Sequence, residues 1–403
     1  MRSRLVSGDI EMPLWNNWSG RLEHHPEALR FVRTEEDAAA LVAGASARGV
    51  SLRVVGSGHS HAPLVIGADE IIDIGAMAGV ISVDEASKTA LVAAGTPIYM
   101  LGPLLHQQGL ALHNQGDIDR QTIAGATATG THGTGRTIAN LSHAVKGLRL
   151  IDGHGELREL RQSDAAESFY AYPVHLGAMG LVTAIELQLR DAFVLEERSW
   201  TVPGDALVDA ISEMTENHDR FEFFWYPKAD QAQIKTMHEV AERPAYPVAE
   251  EGARRAYSFE VLPNHRPHKH TEMEFSVPMS EGPACFMEIR ALLQNTFQDV
   301  AWPVEYRLLA QDHAWLSNAY QRDTVTISVH QDVRLDECEY YRACEAIFRA
   351  YGGRPHWGKV NELTGQDLEA AYPRWRDWWA ARDALDPNGV FLNDYLRQVR
   401  AQV

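Results

Sequence analysis

The residue types most suited to chemistry lie in the loop Val54–Ser60, where two glycines and a histidine follow a β-branched segment. Glycines let backbone N–H groups approach a ligand, and successive N–H groups form a concavity that suits a pyrophosphate. The third glycine of a dinucleotide-binding helix is missing, so a loop is expected to hold any phosphates. His59 is well placed to attach a flavin covalently. The alternative, which this stretch alone favours, is a histidine that only makes hydrogen bonds within the loop.

A second stretch of small residues spans Gln121–Gly135. Each glycine destabilises a regular element by about 0.5–1 kcal/mol relative to alanine. A stretch with so few large side chains therefore needs an explanation. A flat aromatic or nucleotide ligand supplies one, because hydroxyls and backbone N–H groups can contact its polar edge. The alternative is a glycine and threonine turn region that packs beneath another segment. Upstream, Trp15 and Trp18 could cover a cofactor or cap a core.

Local signals predict the elements that position these stretches. Thr34 is a good helix N-cap, and Gly49 ends the helix before a strand at Leu52–Val55, which predicts a β-α-β unit leading into the glycine loop. Further strands are predicted at 29–32, 70–74, 80–83, 89–93, 145–151, 156–160 and 181–189, with a helix at 97–108. The strands 145–151 and 156–160 are expected to form a hairpin.

The pattern changes from about residue 190, which predicts a second α+β domain. Strands are expected at 220–226, 272–277 and 324–330, and helices at 207–216 and 283–294. Near the end, Trp375, Trp378 and Trp379 share one helical face and are expected in a core. The turn at 385–389 is then expected to return the chain to the first domain.

The composition limits the class of protein. The 403 residues are 45% hydrophobic and 23% charged, which suits a globular chain of two or three domains. A net charge of −18 argues against a nucleic-acid or anionic membrane partner, because phosphate contacts need clustered Lys and Arg. The three cysteines lack metal-site spacing, so neither a disulfide framework nor a zinc site is expected, and a cytoplasmic location fits best. No signal peptide or membrane span is expected.

One histidine-rich run, containing His265, His268 and His270, could suggest a metal site. Arg and Lys lie within the same run, and such charges are typical of a solvated loop. We therefore expect a solvated loop there and no metal.

Five segments carry a resemblance that covers nearly the whole chain. They are Gly56–Ser60, Thr129–Gly135, Pro303–Arg307, Gly352–Lys359 and Leu385–Asn393. In this order they resemble the aldonolactone oxidoreductases, a family of sugar-lactone oxidases within the vanillyl-alcohol-oxidase type of flavoproteins. The resemblance implies an α+β fold: a vanillyl-alcohol-oxidase-type FAD domain at 1–189, an α+β substrate-binding cap at 190–358, and a C-terminal segment at 359–403 that returns to the FAD domain.

The resemblance also implies FAD as the cofactor, attached covalently through His59. The cofactor-binding residues that it implies are Val55, Gly56, Ser57, Gly58, His59, Ser60, Gly116, Asp117, Thr122, Gly125, Thr129, Gly130, Thr131, His132, Val182 and Lys359. The family position that matches Gly116 lies near the flavin carbon that reacts with oxygen, and a glycine there is typical of oxidases. We therefore expect molecular oxygen as the electron acceptor.

Four residues are implied in catalysis. Glu305 and Arg307 lie two apart, so on a strand both point to one face, which is the substrate side in the family. Lys359 matches a family lysine near the pyrimidine edge of the flavin. His330 is a weaker candidate for a sugar contact or a base, and a satisfied strand histidine is the alternative. For Glu305 and Arg307 the alternative is a surface ion pair.

The expected substrate is a sugar 1,4-lactone of the gulono, galactono or arabinono type, oxidised beside the lactone carbonyl with formation of H2O2. An alditol oxidase is the alternative, because Gly358 resembles bacterial alditol oxidases whereas residues 223–227 resemble lactone oxidases. A third possibility is a flavin-binding protein without an alcohol substrate. The presence of Glu305, Arg307 and Lys359 argues against it.

Overall fold

The structure is a computed structural model that describes residues 13–401. In its first part the strands are β1 (Trp15–Asn16), β2 (Glu23–His24), β3 (Ala28–Phe31), β4 (Leu52–Val55), β5 (Glu70–Asp73), β6 (Val80–Asp84), β7 (Thr89–Ala93), β8 (Leu110–Ala111), β9 (Val145–Ile151), β10 (Leu157–Arg161), β11 (Leu181–Gln188) and β12 (Arg190–Asp191). The helices are α1 (Glu35–Arg48), α2 (Ile98–His106), α3 (Ile123–Ala128) and α4 (Ala166–Phe169), with a 3-10 turn at Leu141–Ala144.

Two sheets organise this first part. One is parallel with the order β3-β5-β4, and the other is antiparallel with the order β10-β9-β11-β7-β6. Buried residues of both sheets and of α1 and α2 form one apolar cluster. The glycine loop leaves the first sheet at the end of β4, so a packed scaffold fixes its start.

The predicted β-α-β unit is confirmed in detail. The Thr34 hydroxyl accepts a hydrogen bond from the Asp37 backbone N–H at 3.1 Å, which caps α1. Gly49 ends the helix with φ of +68°, in the left-handed region that glycine adopts readily. The predicted hairpin also forms, and the Asp152 N–H donates to the Glu156 carbonyl at 2.9 Å across its turn. The short helix α3 within the second stretch of small residues was not predicted.

The second part is built on one large sheet. Its strands are β13 (Val194–Pro203), β14 (Arg220–Tyr226), β15 (Gln231–Val240), β16 (Arg255–Tyr257), β17 (His270–Pro278), β18 (Val304–Leu309), β19 (Thr324–Asp332) and β20 (Arg354–Pro355). Its helices are α5 (Gly204–Asn217), α6 (Ser258–Val261), α7 (Gly282–Asn295), α8 (Cys338–Ala350), α9 (Gly365–Ala371), α10 (Trp375–Leu385) and α11 (Asp394–Ala401), with a 3-10 turn at Met279–Glu281. The strand order is β16-β13-β15-β14-β18-β19-β17-β20.

The two faces of this sheet differ sharply. On β14 the alternate residues Phe221, Phe223 and Trp225 lie in the apolar core, and the Phe223 ring stacks on Tyr306 of β18 at 4.7 Å. The residues between them face the other way, because successive strand side chains point to opposite sides. That opposite face carries buried charges on β14, β17 and β18, and a buried histidine on β19.

The prediction for the histidine-rich run is wrong for His270. His265 and His268 are exposed, as expected for a loop, whereas His270 begins β17 and is buried. The strand pairs along its length with β19, which places His270 opposite Asp332. The sheet extends two residues beyond the predicted start at 272, and this pairing outweighs the local charge pattern.

The chain end contacts both parts of the molecule. Trp375, Trp378 and Trp379 are buried in the core beside the large sheet, as predicted. Further on, the Val390 carbonyl accepts a hydrogen bond from the Leu52 N–H at 2.7 Å, which ties the end to the strand before the glycine loop. The exact domain boundaries stay a prediction. Among the residues that the structure describes, no helix is both long enough and apolar enough to cross a membrane.

Candidate active site

Two cavities adjoin each other where the glycine loop meets the large sheet. The first, called the loop cavity, has a volume of about 1020 Å³ and is lined by Val54–Ser60 and by residues of α3. The second, called the sheet cavity, has a volume of about 820 Å³ and lies over the charged face of the sheet. Gln121, His356 and Lys359 line both. The shared walls allow one elongated ligand to extend from the first cavity into the second.

Nearly all the predicted site residues line these cavities. The loop cavity is lined by Val55, Gly56, Ser57, Gly58, His59, Ser60, Thr122, Gly125, Thr129, Val182 and Lys359. The sheet cavity is lined by Gly116, Asp117, Thr131, His132, Glu305, Arg307, His330 and Lys359. Gly130 is the predicted residue that lines neither, and with φ of +76° it shapes the turn after α3. Their roles toward a cofactor or a substrate stay proposals.

The glycine loop packs directly on the start of α3. A Cβ on Gly56 would lie 2.1 Å from Thr122 Oγ1, so any side chain there would displace the helix cap. Gly58 has φ of +66°, which favours glycine. The Ser57 hydroxyl donates to the Arg120 carbonyl at 2.6 Å. These contacts join two segments that are more than sixty residues apart into one wall.

His59 stands half-buried at the end of this wall. Its ring stacks on Trp18 with a centroid distance of 5.3 Å and an angle of 24°. Burial, together with the positive charge of Lys359 and the nearby His270, lowers the pKa of His59 to about 4. The imidazole is therefore neutral at pH 7 and keeps a free lone pair.

The floor of the sheet cavity comes from alternate residues of neighbouring strands. β17 contributes His270, Glu272 and Glu274, and β18 contributes Glu305 and Arg307. The strand β19 between them contributes His330. Because one strand face presents every second residue, three strands are enough to bring this many charged side chains together.

Arg307 is surrounded by carboxylates. Its guanidinium lies 3.0 Å from Glu222 and 3.1 Å from Asp117, and it forms a third ion pair with Glu305. Burial raises the pKa of Glu305 to about 8. The negative charges of Asp117 and Glu222 contribute to this rise, whereas the positive charge of Arg307 opposes it. Three acids thus share Arg307 as their ion-pair partner. Near neutral pH the Glu305 carboxyl group is mostly protonated.

Lys359 pairs with Glu272 on the adjacent strand. Two imidazoles, His270 and His330, lie 3.6 Å and 3.7 Å from the same carboxylate. Burial would raise the pKa of Glu272, but Lys359 and His330 hold it well below its usual range. Burial also lowers the pKa of His330 to about 4. At pH 7 this corner therefore contains a carboxylate, the lysine paired with it, and a neutral His330.

A further acid and histidine contact joins the two parts of the chain. His132 Nε2 lies 2.7 Å from Glu274 Oε1, and the Ser328 hydroxyl donates to Glu274 Oε2 at 2.9 Å. The ring of His356 lies 5.8 Å from that of His132, edge to face. Glu274 is 4% exposed, so this contact is closed to solvent.

The sequence predictions missed several residues of the sheet cavity. Glu272, Glu274, His356, Arg266 and Trp302 line it but were not proposed for the site. For the two glutamates a signal exists, because acids at alternate positions of a predicted strand share one face. A buried strand face with two acids is unusual unless they are paired.

Comparison with known proteins decides the family. The family profile described as D-arabinono-1,4-lactone oxidase matches residues 185–256 and 249–399. A profile described as FAD binding domain matches residues 26–161. The L-gulono-1,4-lactone dehydrogenase of Mycobacterium tuberculosis is 35% identical over 96% of this chain and 99% of its own length. The chain belongs to the aldonolactone oxidoreductase family. The sequence resemblance is thereby confirmed.

Two further relatives are more distant from this chain. The L-gulonolactone oxidase of Bos taurus is 28% identical over 96% of this chain and 98% of its own length. An alditol oxidase from a Streptomyces strain is 28% identical over 95% and 98%. Names in the group thus include a dehydrogenase, an oxidase of a lactone and an oxidase of an alditol.

Solved structures confirm the predicted fold class. Cholesterol oxidase from B. sterolicum superposes with a TM-score of 0.83 at 16% identity, covering 98% of this chain and 99% of that one. A Phl p 4 variant described as a glucose dehydrogenase gives a TM-score of 0.72 at 14% identity, covering 91% and 89%. At these identities the similarity concerns the fold alone.

Buried polar atoms in the cavity walls of this aldonolactone oxidoreductase fit a flavin nucleotide. Gln121 Oε1, Thr131 Oγ1 and His175 Nε2 are buried without a hydrogen-bond partner among the described residues, and all three residues line a cavity. Buried polar atoms are normally bonded, so these three await partners from a bound molecule. A ligand with a polar ring edge and hydroxyl groups supplies such partners, in agreement with the FAD-binding profile.

Proposed function

We propose that this protein is an FAD-dependent oxidase of a sugar 1,4-lactone of the gulono, galactono or arabinono type. The observation that carries the proposal is the group formed by the buried Glu305 and Arg307 and the half-buried Lys359 in a cavity that adjoins the loop cavity of an FAD-binding family member. A bound flavin would supply the hydride acceptor, N5, for the carbinol carbon beside the lactone carbonyl, and oxygen would be the final acceptor of the two electrons, giving H2O2.

The protein's own residues would manage the hydroxyl proton. Glu305 has a pKa of about 8, so the unprotonated fraction would accept this proton, and that fraction grows as the pH rises toward 8. Arg307 and Lys359 place positive charge beside the oxygen that becomes negative, as preorganised donors do in an oxyanion hole. His330 is neutral and buried, and its Nδ1 donates to the Pro303 carbonyl at 2.8 Å, so its Nε2 can accept a hydrogen bond from a sugar hydroxyl.

We propose His59 as the covalent attachment point. Its neutral imidazole has the lone pair that bond formation to the flavin 8α-methyl needs, and Trp18 holds the ring in place. Acid precipitation should leave yellow, fluorescent protein, whereas His59→Ala should release all the flavin to the supernatant. His61→Ala, two residues away, is the matched control and should keep the flavin attached. Release of flavin from the wild type would refute the attachment.

We propose molecular oxygen as the electron acceptor because of Gly116. This residue lines the sheet cavity between Thr131 and the His132 carbonyl. Oxygen is a small apolar molecule, so a residue without a side chain leaves it room to reach the flavin. The dehydrogenase name of the mycobacterial relative makes this the point to test first. Reduced enzyme mixed with oxygenated buffer should reoxidise rapidly and release H2O2.

A cytoplasmic location remains part of the proposal, and it is supported by the cysteine content alone.

An alditol oxidase is the second candidate, supported by the Streptomyces relative. A Cβ on Gly358 would lie 3.2 Å from the His356 ring, so this glycine allows the histidine to lie close to both cavities. Anaerobic flavin bleaching with a panel of lactones and polyols separates the two candidates. Lactones should bleach the flavin at lower concentration than any polyol. The reverse order would favour the alditol oxidase, and no bleaching by either would leave a flavin-binding protein without an alcohol substrate.

A further inference from the structure

Both ring nitrogens of His132 face oxygen atoms. Nδ1 lies 2.9 Å from the Gly133 carbonyl, and Nε2 lies 2.7 Å from Glu274 Oε1. A carbonyl oxygen has no proton to donate, so Nδ1 must carry a hydrogen. A neutral imidazole carries only one, and Nε2 would then have to accept a hydrogen from Glu274.

Glu274 cannot donate that hydrogen when it is ionised. Its second oxygen already accepts the Ser328 hydroxyl at 2.9 Å, which suits a carboxylate. An ionised Glu274 and a doubly protonated His132 satisfy all three of these contacts, and in that pairing His132 opposes the effect of burial and holds the pKa of Glu274 well below its usual range. Since Glu274 is an acceptor only, Nε2 carries a hydrogen as well. The His132 ring is then an imidazolium.

The neighbouring groups leave this charge in place. The Gly358 N–H donates to His356 Nδ1 at 3.0 Å, and burial lowers the pKa of His356 to about 4, so His356 is neutral. Lys359, the nearest cation of the shared wall, is paired with Glu272. His132 itself lines the sheet cavity beside Gly116 and Thr131, and its side chain is 2% exposed. Water therefore screens its charge weakly.

We propose that Glu274 is a positioning residue that keeps His132 as an imidazolium in the wall of the flavin site. The charge favours electron uptake by the flavin, because reduction adds negative charge to its ring system. The inference rests on the flavin of the proposed function. It does not depend on which lactone or polyol is the substrate, or on oxygen as the acceptor.

The proton count on His132 is measured first. The holoenzyme labelled with 15N-histidine is compared with His132→Gln to assign the ring signals. At pH 7.5 both nitrogens of His132 should be protonated in the wild type, and one should lose its proton in Glu274→Gln. One unprotonated nitrogen in the wild type would overturn the proposal, even if no Glu274 variant folds. This measurement needs neither substrate nor turnover.

The reduction potential of the bound flavin is measured second, by equilibration with a reference dye. Glu274→Gln and His132→Gln should each weaken electron uptake by about tenfold, which is about 30 mV for a two-electron couple. The double variant should shift the potential no further than Glu274→Gln alone, because in both proteins the imidazolium and the carboxylate are absent. Glu274→Asp should restore part of the shift.

Glu345→Gln is the matched control, because Glu345 is also a buried glutamate but lies on α8, outside both cavities, and accepts the Glu362 N–H at 2.8 Å. The flavin bound to Glu345→Gln should have the same reduction potential as the flavin bound to the wild type. Additive shifts in the double variant, or a potential unchanged by Glu274→Gln, would overturn the proposed effect on the flavin. An inactive enzyme that still shows these shifts would refute only the proposed function.

Discussion

The loop cavity and the sheet cavity are built in opposite ways. The loop cavity is formed by runs of consecutive small residues, such as Val54–Ser60, whose backbone groups rather than side chains would contact a ligand. The sheet cavity is formed largely by alternate side chains of strands far apart in the chain, most of them titratable. The first kind of site tolerates few side chains, whereas the second depends on how each charge is paired. The two regions should therefore respond differently to substitution.

Removal of the central cation tests the sheet cavity most severely. Arg307→Met leaves Asp117, Glu222 and Glu305 with less positive charge in a buried place. Loss of one partner of a buried ion pair costs about 3–5 kcal/mol, so the free energy of unfolding should fall by that order. Urea unfolding measures it. Arg334→Met, which removes an exposed ion pair with Asp332, should leave the unfolding midpoint unchanged. Equal midpoints for both variants would contradict the pairing described here.

Glu305→Gln separates chemistry from folding in the same cavity. The glutamine resembles the protonated acid, so the fold and the FAD content should stay near wild type. The rate of flavin reduction by substrate should fall by about 10²–10³, the usual cost of losing a positioned group in a water-poor site. Anaerobic stopped-flow bleaching measures the rate. An unchanged rate would remove Glu305 from the mechanism.

The pH dependence follows from the raised pKa of Glu305. The ratio kcat/KM should rise with pH through an apparent pKa near 8, because the unprotonated acid is the base. Stability should move in the opposite direction. The folded state binds this proton more tightly than the unfolded state, whose glutamates titrate near 4.3. The contribution is thus complete below about pH 4 and is lost as the pH rises to about 8.

Glu305→Gln should flatten both profiles, which makes it the control for the pH prediction. Urea unfolding at pH 5, 6.5 and 8 compares the two proteins. A wild type whose loss of stability over this range matches that of the variant would show that Glu305 is ionised in the folded enzyme.

The smallest effect is expected at Gly116, in the wall of the sheet cavity. A Cβ on Gly116 would lie 3.2 Å from the His132 carbonyl and 3.3 Å from Thr131 Cγ2, so the wall must move slightly to admit it. Gly116→Ala should slow reoxidation by oxygen several-fold and leave reduction by substrate nearly unchanged. Stopped-flow mixing with oxygenated buffer measures the first rate. Gly44→Ala in α1 should change neither, and unaltered reoxidation in Gly116→Ala would show that the glycine is not the path for oxygen.

Much of the protein could be predicted from local sequence. Thr34 and Gly49 mark the ends of α1, the glycines of Gly56–Ser60 indicate a ligand loop, and Glu305 and Arg307 share a face by their spacing. These features depend on contacts within a few residues, or on the two-residue period of a strand. Such short-range interactions can be inferred from the order of the amino acids.

Only the tertiary structure decided which partner each charge has. His270 was expected in a solvated loop, yet pairing of β17 with β19 buries it at the edge of the sheet cavity. Glu274 contacts His132 across 142 positions of sequence, and Arg307 contacts Asp117 from the other part of the chain. Electrostatic interactions depend on distance and burial in space, and neither follows from spacing along the chain. The sequence by itself therefore determined the family and the glycine loop, and the packing of the large sheet decided which charges meet in the sheet cavity.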